Sequence, residues 1–219
     1  MTHTLHRAGT QQNLSDDFTI LCMPARGVNV TGSGLKMRRF LEIASMNNAV
    51  NIGDIDTGNL YVASQESIIG NVRDGGIVHA VFACKKDVLA VLTQLKEEDL
   101  GMSVVVQGLC EEVYALTEKA GLQPHTVNHS LGRWGRQELL PEPEVLEITT
   151  MCGHALVSAK LVAHLADRIA HGRTSPESAA RELARQCICG IFNPTRAQRL
   201  LENMADALRA SREIEGDQS

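Results

Sequence analysis

The residues best suited to chemistry in this chain are Cys152, Cys187 and Cys189. They stand in two glycine-flanked runs, Met151-Cys152-Gly153-His154 and Cys187-Ile188-Cys189-Gly190. The sequence places each run at or just before a helix start. Unpaired N–H groups and the positive helix end favour anions there and lower a thiol's pKa. Thiolates beside glycines suit a metal ion or an iron–sulfur cluster, because the sulfur binds and the glycine lets the backbone approach. Three thiolates are one short of a closed tetrahedral zinc site. One solution is a 4Fe–4S cluster held by three cysteines, with one iron open. The other is Zn2+, completed by water or by a fourth residue. His154 is the nearest such residue, and Cys110 or His129 are further options. Cys-X-Cys spacing is easier on neighbouring irons than on one zinc, so the cluster is the first choice and zinc the second. Inert buried cysteine is the plain alternative, and the pairing of the two runs argues against it.

A second polar patch spans His125 to Gly135. Alternation over His125–Leu131 reads as a strand that sets His125 and His129 on one face. These imidazoles, with His154, are candidate proton shuttles. Arg133 and Trp134 follow between two glycines and suit a carboxylate and a flat apolar group. Asn193-Pro194-Thr195-Arg196 reads as a helix start. Asn193 and Arg196 are the further candidates for holding a substrate anion, Arg196 by a bidentate pair.

Other elements must position these groups. Apolar runs at Thr19–Met23, Ile77–Ala83 and Met102–Val106 read as strands. Helical stripes cover Lys36–Met46, Gln65–Val72, Asp87–Leu95 and Cys110–Ala120. Asn51–Asp54 and Asp56–Asn59 read as turns. This strand–helix alternation predicts an α/β or α+β layered domain over residues 1–140, a small sheet covered by helices. Pro141 and Pro143 mark a boundary. Residues 141–212 then read as a helical, cysteine-bearing metal-binding region, with helices over Val157–Ala170, from Thr174 to about Gln186, and from Asn193 to about Arg209. Residues 213–219 read as a disordered acidic tail.

Composition excludes several classes. The chain has 219 residues, six cysteines and only seven aromatic residues, with net charge −5. Folding a chain of this length removes roughly 70% of its extended surface, so the cysteines are not needed as staples. Few aromatic faces and no basic field argue against nucleic acid. No apolar run approaches a membrane span and no secretory signal is visible, so the sequence reads as a cytoplasmic protein without a membrane partner. Reducing surroundings favour thiols or ligands over disulfides. Dinucleotide-binding, Walker, zincin and nucleophile-elbow signatures are absent. Cys22 and Cys84 read as core fillers, and Cys110 stays ambiguous.

The expected function is a metal-dependent lyase or hydrolase that removes water or sulfide from a small anionic substrate. In outline, over three residues and no continuous motif, the cysteines resemble those of enzymes whose open-iron cluster does this work. The alternatives are a structural-zinc binding or assembly module without catalysis, and a thiol redox protein. A homo-oligomer is compatible with the sequence.

Overall fold

A computed structural model describes residues 7–217. Its sheet is built from β1 (Phe18–Met23), β2 (Asn51–Asp54), β3 (Gly58–Asn59), β4 (Val78–Phe82) and β5 (Ser103–Gln107), in the order β3-β2-β4-β1-β5. Every neighbouring pair is antiparallel. Helices α2 (Ser33–Met46) and α4 (Lys85–Glu98) connect non-adjacent strands, which gives two interleaved split β-α-β units. The mixed fold is therefore α+β.

Strand side chains alternate between the two faces. Phe18, Ile20 and Cys22 of β1 and Val78, Ala80 and Phe82 of β4 face α2 and α4. They pack there with Met37, Phe40, Leu41, Val88 and Val91. The other face carries Thr19, Asn51, Gly53 and His79, all buried. Both faces of β1 and β4 are covered, which is why those strands read as continuous apolar runs.

The C-terminal region covers the second face. It comprises α6 (Pro143–Thr149), α7 (Ala159–Ala170), α8 (Pro176–Ala184) and α9 (Pro194–Asp217). Val162, Leu165 and Ile169 of α7 meet Ala179, Ala180 and Leu183 of α8 and Ala197, Leu201 and Ala205 of α9 in a second core. Short alanines let these helices approach closely, so this core needs few rings. The remaining helices are α1 (Gln11–Leu14), α3 (Gln65–Asn71) and α5 (Cys110–Lys119).

Three differences from the sequence reading have physical causes. The strand expected over His125–Leu131 is absent, and the segment is irregular and exposed. Its alternation has no apolar face to bury. Asn51–Asp54, expected as a turn, is a strand with all four residues buried. Helix α6 starts at Pro143, where the sequence shows a boundary; proline suits a first helical position. Helix α9 runs on to Asp217, and the last two residues of the expected tail lie outside the described residues.

Candidate functional site

The Cys187–Asn193 loop is fastened to the sheet by polar groups on the second face. Asn59, buried on β3, donates to the carbonyls of Ala184 and Cys187, at and beyond the end of α8. Asn51 donates to the Phe192 carbonyl at 3.1 Å. Arg7 donates to the Ile191 carbonyl, and to Thr19 at 2.8 Å. Gly190 adopts φ +82°, and a Cβ there would lie 2.8 Å from backbone atoms of Ile52 and Gly53. A Cβ on Gly53 would in turn meet the Gly58 and Cys189 carbonyls. Only two glycines allow the cysteine loop and β2 to touch backbone to backbone.

Asp17 anchors the far end of this loop. It is fully buried and pairs with both Arg7 and Arg196, whose side chains are 2% and 0% exposed. Asn193 donates to Asp17 at 2.9 Å, and its side-chain oxygen accepts the Arg196 N–H at 3.0 Å. Burial alone would push the Asp17 carboxyl up. The two guanidinium charges and the hydrogen bonds outweigh it and hold the group below its usual range. Asn193 and Arg196 are thus part of the anchor, and neither lines the cleft described below.

Cys152 comes from a turn after α6, where its N–H bonds to the Thr149 carbonyl. Cys187 follows α8, with its N–H on the Ala184 carbonyl. Both thiols therefore sit past helix C-terminal ends, not at the expected N-terminal ends. The negative helix end disfavours a thiolate. The three sulfurs form a hydrogen-bonded series, Cys152 to Cys187 to Cys189. The hydrogen bond to Cys187 and burial hold the Cys152 thiol well above its usual value. The bond from Cys152 pulls Cys187 down, but its own bond to Cys189 and its burial outweigh that and push it up to about 11. Cys189 accepts a hydrogen bond from the Cys187 thiol and one from the Ile191 N–H, and against the cost of burial its pKa is lowered.

His154 Nδ1 lies 3.5 Å from Cys189 Sγ. These two residues form one wall of a cleft of about 400 Å³, together with His79 from β4 and the Arg73–Gly76 turn. The sequence reading missed His79, Arg73 and Asp74. The legible signal for His79 was a histidine inside a strand that is otherwise apolar.

The structure brings together Cys152, Cys187, Cys189 and His154. It leaves His125, His129 and Arg133 on an exposed segment that lines no part of the cleft. His129 instead stands 3.6 Å from Cys110. Among the described residues, no group of three or more His, Cys, Asp or Glu side chains is placed to hold a metal ion as it stands. The thiols are turned toward one another. Their donor chemistry suits a soft metal, and loading one would require them to lose protons and rotate. Among the described residues, no helix is long and apolar enough to cross a membrane. Comparison with family models, curated proteins and solved structures finds no match to this chain.

Proposed function

We propose that the three thiols hold a metal centre, first a 4Fe–4S cluster and second Zn2+, with one coordination position open to the cleft. On this reading the protein is a lyase or hydrolase that removes water or sulfide from a small anionic substrate. One observation carries it. Cysteines from two separate loops meet beneath a cleft that also holds two imidazoles and a guanidinium. An open metal position supplies Lewis acidity toward the leaving group. All three thiols are buried, but only Cys189 lines the cleft; Cys152 and Cys187 do not. That asymmetry leaves one side of the centre facing substrate. His154 and His79 border the same space and are the proton carriers of this reading.

The test is metal analysis of anaerobically prepared full-length protein. Bound iron with broad absorbance near about 400 nm is expected, and both should disappear in Cys187→Ser. Stoichiometric zinc without iron would replace the cluster by the zinc version. Neither metal in protein prepared this way would remove the proposal.

Burial of all three thiols also favours a second reading, a closed structural zinc without turnover. Zinc removal would then melt the helical region, because metal binding and folding are coupled.

A further inference from the structure

The cleft lining carries one cation, Arg73, and two acids, Asp56 and Asp74. Arg73 is exposed on the turn after α3, and among the described residues its guanidinium enters no ion pair. Its own carbonyl closes the turn by accepting the Gly76 N–H at 3.3 Å. The neighbouring acid, Asp74, forms no ion pair with it among the described residues. Asp74 spends both oxygens on backbone, accepting Gly34 N–H at 2.7 Å and Gly32 N–H at 2.8 Å. Those bonds hold its carboxyl below the usual range and fix the turn against the start of α2. Asp56, on the β2–β3 turn, is the other acid on the cleft wall. Its N–H bonds to Asp54 Oδ1 at 2.7 Å, so the turn is held, while its carboxylate enters no ion pair among the described residues.

With Asp74 committed to backbone N–H groups, Arg73 and Asp56 line one cleft on held turns without forming an ion pair with each other, and a ligand with both charges answers them. The soft sulfur of Cys189 lies on the same wall. We infer that the cleft binds a small zwitterionic α-amino acid bearing sulfur, with its carboxylate on Arg73 and its ammonium on Asp56. Its side chain then points toward Cys189 and His154. This deepens the proposal above by naming its substrate class, and rests on it only for what happens to that side chain.

The experiment is a titration of the full chain, followed by the ring resonances of His79 and His154. The probes are S-methyl-L-cysteine, 3-(methylthio)propanoate, which lacks the ammonium, and 2-(methylthio)ethylamine, which lacks the carboxylate. S-methyl-L-cysteine should bind most tightly. Arg73→Gln should weaken it and 3-(methylthio)propanoate by about tenfold, and leave the amine unchanged. Asp56→Asn should weaken the amino acid and the amine, and leave 3-(methylthio)propanoate unchanged. Both side chains are exposed, so these variants fold. Equal affinity for 3-(methylthio)propanoate and the amino acid, indifference to Arg73→Gln, or equally strong binding of inorganic phosphate would each overturn the assignment. Protein without iron or zinc that still shows Arg73-dependent binding would sink the metal reading alone. Metal-loaded protein whose binding ignores Arg73→Gln would sink this one alone.

Discussion

Cys189 Sγ and His154 Nδ1 stand 3.5 Å apart, although they belong to different loops. His154 itself is exposed, so little packing depends on it. His154→Ala should therefore change stability by no more than about 0.5 kcal/mol. Metal uptake should weaken by about 10- to 100-fold if the imidazole ligates or orients the centre. A thermal melt and a metal titration on the same preparation check both halves. Unchanged uptake would remove His154 from the centre.

Asp17 neutralises two buried guanidiniums, so its loss strands both. Asp17→Asn should cost about 3–5 kcal/mol in denaturant unfolding. The same carboxylate has a folded pKa below its unfolded value of 3.8. Its stabilisation is complete above that value and is lost as pH falls through the lower, folded one. An acid titration of stability should show this limb, and the Asn variant should lack it.

Cys22 offers the opposite sign. Burial in the sheet core pushes its thiol from 9.0 up to about 12. The folded state therefore keeps a proton that the unfolded chain releases. Its contribution is complete below the unfolded value and is lost as pH rises from 9.0 toward about 12. Unfolding curves across that window should fall more steeply for the native protein than for Cys22→Ala. Parallel slopes would contradict the burial argument.

Gly190→Ala should be among the most damaging single-methyl changes in the chain. It places a Cβ at φ +82° and 2.8 Å from β2 backbone. The left-handed penalty and the overpacking together should cost at least about 2 kcal/mol. Gly132→Ala offers the contrast, since it also has positive φ but meets nothing within 4 Å. Chemical denaturation of the pair separates the clash from the backbone penalty.

Trp134 is the sole tryptophan and is 84% exposed. Its fluorescence should be solvent-like and readily quenched by a small neutral quencher in the folded protein. Trp134→Ala should change stability by no more than about 0.5 kcal/mol. A blue-shifted, protected emission would contradict its placement.

Much of the fold was legible from local pattern. The continuous apolar runs of β1, β4 and β5 and the stripes of α2 and α4 carry their own periodicity. Ser175, which caps α8 by accepting the Ser178 N–H, and Pro194 at the start of α9 are local chemistry. The type and spacing of Cys152, Cys187, Cys189 and His154 singled them out without any structure. What the sequence hid lies in β2 and β3. Asn51, Gly53 and Asn59 look like turn residues, because their reason for being there is remote. Two asparagines bond the carbonyls of the cysteine loop, and a glycine leaves room for its backbone. Arg196 was misjudged for the same reason, since its partner Asp17 lies at the other end of the chain.

Sequence by itself thus determined which side chains could do chemistry, and which segments had a face to bury. Tertiary structure alone decided the direction in which each thiol is shifted and the cleft's walls. A hydrogen-bonded neighbour beside a thiol, and a buried guanidinium beside Asp17, act through space. Cys189 comes to share a cleft with Arg73 and His79, far from it in sequence, only once the chain is folded.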